Sequence, residues 1–418
     1  MILYRYINGD SPFPCALLFP CGGMLMLCMQ GKLEVFMKVL ILSTGTGEGH
    51  NSAGKAVLEQ FRKRGIPCEM ADVLGFASER AASYGKRIYV WSTVKATKVF
   101  KGAYKAGRAI TSSRRKSPVY YANALYAEKL YHYIVDNGYD TIVMPHLFPA
   151  EALTYMLRKH GCRPDIRTYF VGTDYTCIPF TEETEADYYF IAHEELTEEY
   201  AKKGIAPEKL VPTGIPVSDR FRSLPSREEA RESLGMNPEG HCILVMTGSM
   251  GYGKIENLVR ALVSGMDGGD NVYILGGSNE KLKARLREAY REDPRVRVLD
   301  YTDRTAEYLA AADLLFTKPG GLTSTEAAVA GIPLAHTRPI PGCEDCNQAF
   351  YNAHGMSLSA DSEEKLVEAA MELLSQPKAC RQMIERQHQV INGNAARDIC
   401  DFILRQGGEE EEAGLRRR

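Results

Sequence analysis

The chain lacks an apolar run able to carry it through a bilayer. The most apolar stretch near its start, Cys15 to Met29, is short and is broken by Pro20, Gly22 and Gly23. No small-residue cleavage pattern follows it, which argues against a secretory leader. Charge of one sign is also missing. Lys+Arg is 51 and Asp+Glu is 53, a net −2, which disfavours a dedicated nucleic-acid binder although a local basic patch can hide in a balanced total. There is no Asp-x-Asp pair of the kind that can hold a divalent metal. Tryptophan occurs once. The 11 cysteines are odd in number, in a chain too large to need staples, and read as free thiols of a reducing compartment. Cys343-x-x-Cys346 has no second pair to complete a tetrahedral zinc site and reads as coincidence. What remains is ordinary globular composition over 418 residues, 44% hydrophobic and 25% charged, enough for two or three domains with their own cores.

Met37-Lys38-Val39-Leu40-Ile41-Leu42-Ser43 looks like a natural start running into a buried strand, so residues 1–36 are expected to be an upstream extension. Beyond it, short apolar runs alternate with amphipathic stretches. Strands are expected at 38–43, 68–73, 141–145, 167–171 and 188–192, and a helix over 52–64 with Ala53, Ala56, Val57 and Phe61 on one face. Val211-Pro212-Thr213-Gly214-Ile215-Pro216 reads as a hinge. A second series follows, near 241–247, 271–275, 296–299, 314–317 and 332–337. Both series open with a strand feeding a glycine turn, at Thr44-Gly45 and at Thr247-Gly248. The expected fold class is α/β, with two Rossmann-like domains whose parallel sheets face each other across a cleft. Residues 37–215 form the first domain and 216–380 the second, with helices of 381–405 crossing back and a charged tail at 406–418.

Three loops carry chemistry. Thr44-Gly45-Thr46-Gly47-Glu48-Gly49-His50 ends the first strand, and its G-x-G-x-G spacing differs from the dinucleotide fingerprint. His50 at its tip could take a proton from a hydroxyl, or could simply cap a helix. Gly49 to Lys55 fits the phosphate-loop pattern G-x-x-x-x-G-K, but Ala56 stands where Ser or Thr should hold Mg²⁺. The second loop, Lys318-Pro319-Gly320-Gly321-Leu322-Thr323 with Glu326 one turn on, makes a diphosphate seat at a helix start, with a carboxylate placed for ribose hydroxyls. A third, Pro341-Gly342-Cys343-Glu344 with Asn347, lies beside it. Residues 84–118 hold ten Lys or Arg, no acid and interleaved aromatics. That suits an anionic lipid surface, a nucleic-acid groove or a merely solvated face.

Gly-Glu-Gly-His50, Thr173-Asp174-Tyr175, Thr213-Gly214-Ile215-Pro216, Lys318-Pro319-Gly320-Gly321 with Glu326, and the Glu344/Asn347 loop together resemble the glycerolipid glycosyltransferases of glycosyltransferase family 28. These include the monogalactosyldiacylglycerol synthases and the processive diacylglycerol glucosyltransferases. The resemblance runs in order through residues 37–405 and implies a GT-B fold. It also implies an inverting transfer of glucose or galactose from a UDP-sugar to diacylglycerol or a related lipid hydroxyl, without a metal cofactor. On this resemblance His50 is the base. Gly320 and Gly321 form the diphosphate turn, Gly248, Pro319 and Thr323 also line the donor site, Glu326 holds ribose, and backbone groups at Tyr301 and Thr302 hold uracil. Glu344 and Asn347 hold the donor sugar, while Gly49, Asp174 and Tyr175 lie on the acceptor side. Trp91, Lys95, Lys98 and Lys101 would dock a peripheral enzyme on the anionic inner face of the cell membrane, with no nucleic-acid partner. Two departures concern specificity. Cys177 and Phe180 stand where the bacterial enzymes carry a His and a Trp, and Cys343 replaces a usual Gln. The rival readings are another acceptor, a UDP-sugar epimerase, a phosphate-loop NTPase and a non-catalytic UDP-sugar sensor.

Overall fold

A computed structural model describes residues 37–45, 48–77, 116–160, 166–248 and 253–407, with backbone alone for 408–416 and for three short strands near the start. Trp91, Lys95, Lys98 and Lys101 lie outside the described residues. The three short strands, β1 (Cys15–Leu17), β2 (Met26–Met29) and β3 (Lys32–Val35), pair antiparallel within the stretch expected to be an extension.

Two six-stranded parallel sheets follow. The first contains β4 (Val39–Ser43), β5 (Cys68–Asp72), β6 (Thr141–Met144), β7 (Arg167–Val171), β8 (Tyr188–Phe190) and β9 (Leu210–Val211), in the order β5-β4-β6-β7-β8-β9. The second contains β10 (Cys242–Met246), β11 (Asn271–Leu275), β12 (Val296–Leu299), β13 (Leu314–Thr317), β14 (Leu334–His336) and β15 (Leu358–Ser359), in the order β12-β11-β10-β13-β14-β15. Every residue of β4, β6 and β13 is buried, as expected of central strands covered on both faces. In each sheet the order reverses once, between β4 and β6 and between β10 and β13. Such a reversal opens a crevice at the carboxyl ends of the strands, where ligands settle.

The helix expected at 52–64 runs over Glu48–Lys63, so its first turn begins inside the glycine loop. Glu48 in that turn complements the helix dipole. The far end closes with Gly65 left-handed and Ile66 N–H returning to Phe61 O at 3.1 Å. The Pro118–Asp136 helix opens with Pro at its first position and the Ser117 hydroxyl accepting from Tyr120 N–H at 3.2 Å.

Two chain crossings join the halves, and they lie side by side. Thr213-Gly214 leads out of the first half, and the Asn392 amide reaches back to Thr213 O at 2.8 Å. The Pro377–Val390 helix stays with the second half, its Gln387 amide donating to Ile332 O and Met356 O at 3.0 Å each. The Ala395–Arg416 helix instead lies on the first, burying Ile399, Cys400 and Ile403 with Val39, Ile41 and Phe61. Arg64 to Asp401 at 2.5 Å and Tyr188 Oη to Gln406 at 2.7 Å pin it there. This helix continues to Arg416, through residues expected to be a separate tail.

Candidate functional site

At the first crevice, the loops after β4 and β6 bring His50 and His146 together, their rings edge to face with centroids 4.5 Å apart. His50 Nδ1 lies 2.9 Å from Pro145 O and 3.0 Å from Thr173 Oγ1. A carbonyl oxygen only accepts, so Nδ1 carries the proton and Nε2 keeps its lone pair as the basic atom. Burial pulls the His50 pKa below the ordinary 6.5, and the Pro145 bond offsets part of this, so the ring is neutral near pH 7. His146 has the opposite arrangement. Its Nδ1 accepts Phe148 N–H at 3.1 Å at the start of the Leu147–His160 helix, which spends the lone pair. Burial first, and neighbouring His50 second, push its pKa well down. Of the two imidazoles, His50 is the one equipped to take a proton.

At the second crevice, β10 and β13 run in register with Met246 beside Thr317, so Gly248 and Lys318 leave neighbouring strands. Gly320 caps the Gly321–Ala330 helix without a side-chain bond, leaving its first amides for a ligand. Thr323 is half-buried one turn in. Glu326 is buried, has no hydrogen bond or ion pair among the described residues, and is pushed up to about 7 by burial, with Arg220 opposing. A buried carboxyl without a donor calls for hydroxyl partners. Arg220 Nη1 donates to Asp303 O at 3.1 Å, linking this region to the loop after β12. On that loop Tyr301 is 78% exposed, and the Thr302 hydroxyl accepts Arg304 N–H at 3.1 Å.

The crevices meet at a close seam. A Cβ on Gly321 would sit 1.9 Å from Thr173 O, and one on Gly49 would touch the Leu322 side chain at 3.7 Å. Asn347, expected beside the donor sugar, is fully buried and spends its amide on the seam. Its Nδ2 donates to Asp174 Oδ1 at 2.8 Å and Pro319 O at 3.0 Å, and its Oδ1 accepts Tyr175 N–H at 2.7 Å. Tyr175, expected on the acceptor side, inserts into the second half, with its hydroxyl 2.8 Å from Thr325 Oγ1 and its ring stacked on Phe350 at 4.4 Å. Glu344 is buried, pairs with Lys318 and accepts Ile340 N–H at 2.8 Å. Burial and Glu344 push Asp174 up to about 6 against the pull of Asn347 and Lys318.

Three further groups stand at this candidate site: His146, which no sequence motif marks, and the Thr173 hydroxyl and Lys318, which lie within quoted motifs without a role of their own. His146 and Lys318 each follow a strand end at a crevice, the same signal that singled out His50. The phosphate-loop pattern does not survive. Gly49, Gly54 and Lys55 are all helical, and Gly54 packs on Met70 and Ile41, so no loop wraps a phosphate.

Behind this site the Leu147–His160 helix buries Glu151 completely. Asn123 donates to its Oε2 at 2.5 Å, while Oε1 has no partner among the described residues. Burial pushes this carboxyl up to about 8. The unfolded chain ionises near pH 4.5 while the folded one stays neutral, so stability is lost as pH rises from about 4.5 to 8. Glu151→Gln should therefore raise the melting temperature by several degrees at pH 8.5 and change it little at pH 4.5. Scanning calorimetry at both values checks this.

Comparison with known proteins agrees with the fold and extends it. The family model described as monogalactosyldiacylglycerol (MGDG) synthase matches residues 50–217, and that described as glycosyl transferases group 1 matches 226–390. The processive diacylglycerol beta-glucosyltransferase of Bacillus licheniformis is 25% identical over 88% of this chain and 94% of its own. The protein of that name from Staphylococcus saprophyticus is 27% identical over 83% and 87%. Among solved structures, Acinetobacter baumannii MurG aligns with TM-score 0.54 and 18% identity over 88% of this chain and 99% of its own. Staphylococcus aureus MnaA with UDP aligns with 0.59 and 14% over 88% and 96%. These structural likenesses speak to the fold alone. One glycosyltransferase model on each half and full-length relatives of that class together support a glycolipid glycosyltransferase of family 28, and the chain has the GT-B fold.

Proposed function

We propose that this hexosyltransferase moves glucose or galactose from a UDP-sugar to the hydroxyl of diacylglycerol or a closely related lipid, inverting the anomeric carbon. One observation carries the reading. An imidazole whose Nδ1 is held by Pro145 O stands at one crevice, and across a close seam the other holds a glycine turn followed by a buried carboxyl with no hydrogen bond among the described residues.

In this reading the diphosphate lies on the amides of the helix starting at Gly321, beside Gly248, Pro319 and Gly320, and Thr323 adds a hydroxyl. Glu326 accepts from the ribose hydroxyls, and the backbone at Tyr301 and Thr302 meets uracil. The lipid hydroxyl enters by Gly49 and gives its proton to His50 Nε2 as its oxygen bonds to the anomeric carbon. The electron pair of the breaking C–O bond goes to the diphosphate, where the helix N-terminus meets the growing charge. No divalent cation takes part. Docking of a peripheral enzyme on the anionic inner face of the membrane rests on the composition of residues 84–118. Among the described residues no helix is long and apolar enough to cross a membrane.

The test is UDP release from UDP-glucose and UDP-galactose, with and without vesicles containing diacylglycerol. Release should require the vesicles and persist in EDTA. Release indifferent to lipid would assign another acceptor, and loss in EDTA would remove the metal-free step.

A further inference from the structure

Lys318 is the first residue beyond β13, at the point where the strand order of the second sheet reverses. Its side chain fills the gap between two glycine turns. A Cβ on Gly248 would lie 2.9 Å from Lys318 Cε, and one on Gly320 would lie 3.0 Å from Nζ. The ammonium therefore sits at the mouth of the Gly321–Ala330 helix, where the backbone amides are already unsatisfied. Any side chain at either glycine would displace it. Its one ion-pair partner among the described residues is Glu344, whose second oxygen is held by Ile340 N–H at 2.8 Å. The pair is asymmetric in exposure. Lys318's side chain keeps 24% of its surface, whereas Glu344's keeps 8%. Asp174 lies close enough for Glu344 to raise its pKa and for Lys318 to lower it, so the ammonium stands in an acidic surrounding.

We infer that Lys318 is the cation that meets the charge developing on the leaving diphosphate, and that Glu344 is the counter-ion it exchanges for the phosphates. The inference rests on the UDP-sugar reading above. As the anomeric C–O bond breaks, its electron pair becomes charge on the terminal phosphate, while the acceptor proton passes to His50. A fixed ammonium beside that phosphate stabilises the transition state more than the ground state, the only kind of contact that raises turnover. Lysine is a compact point charge suited to a phosphate that must arrive and leave. Before that, Glu344 neutralises it. Once the diphosphate takes over the ammonium, the released carboxylate can accept from the hydroxyls of the donor sugar. A purely structural ion pair, tying the loop of residues 339–342 to the sheet, would give neither result.

The exchange gives the two partners opposite signs in binding, which separates it from a structural role. Uridine, UMP and UDP are titrated by calorimetry into the full-length parent, Lys318→Met, Lys318→Arg and Glu344→Gln, with melting temperatures recorded alongside. Lys318→Met should weaken UDP about 10- to 100-fold, the range of one hydrogen bond to a charged group, and leave uridine unchanged. Its kcat should fall by about 10² to 10³, as on removal of a donor from a preorganised anion site. Lys318→Arg should recover most of the UDP affinity. Glu344→Gln should bind UDP several-fold more tightly than the parent, because the competing carboxylate is gone, yet turn over more slowly. If Lys318→Met loses uridine and UDP alike, or Glu344→Gln weakens UDP, the pair is structural and the inference is overturned. If the parent itself shows no saturable UDP binding, the UDP-sugar reading falls and takes this inference with it.

Discussion

His50→Ala should lower kcat by about 10² to 10⁴, the usual cost of losing a general base, while UDP binds as tightly as before. The split follows from geometry. His50 belongs to the crevice between β4 and β6, and the groups proposed for UDP belong to the crevice between β10 and β13. Steady-state rates beside UDP titration check it, and an unchanged kcat would remove His50 from the mechanism. The pH profile of the parent adds a sign. Burial lowers the His50 pKa, so the acidic limb of kcat/KM should fall below 6.5. As pH drops through that limb Nε2 becomes protonated, the base is lost and the rate declines. Thr173→Val should slow turnover less than His50→Ala, because Pro145 O still fixes the ring.

Gly321→Ala is the second large effect, and it arises through the backbone. The added methyl would lie 1.9 Å from Thr173 O, closer than any real contact, and the obstacle is main chain that cannot rotate away. The halves must part at the point where acceptor and donor meet. A displacement of about 1 Å between reacting groups costs on the order of 10² in rate, and kcat/KM should fall at least that far. Uridine binding, confined to the second half, should persist. Gly268→Ala is the control, since nothing lies within 4 Å of a Cβ there. Kinetics like those of the parent for Gly321→Ala would show that the seam is not where the reaction is assembled.

The sequence made much of the fold legible because the central strands of two parallel sheets read as short apolar runs. Leu40-Ile41-Leu42 and Leu314-Leu315-Phe316 need little more than their composition to be assigned. The edge strands β9 and β15 escaped because two residues carry no periodicity. The early helix start at Glu48 was hidden by glycines that ordinarily argue for loop. Of the candidate site the sequence marks the corners, His50, Gly320, Gly321 and Glu326, each just beyond a strand end or on the helix that follows it. Its wiring was not. His50 meets Pro145 across 95 residues and Asn347 meets Tyr175 across 172, distances at which no local pattern survives. Asn347 shows the consequence. Its place in the motif suggests a sugar ligand, and its amide is occupied in joining the halves.

The most direct test of the central claim is the product itself. The full-length chain is incubated with an α-linked UDP-hexose and diacylglycerol vesicles, and the extracted lipid is examined by mass spectrometry and by proton NMR of the anomeric signal. The account predicts a diacylglycerol heavier by one hexose residue and β-linked, formed about 10² to 10⁴ times more slowly by His50→Ala. An α-linked product would contradict inversion by a single displacement. UDP-hexose consumption without any glycosylated lipid would contradict the lipid acceptor.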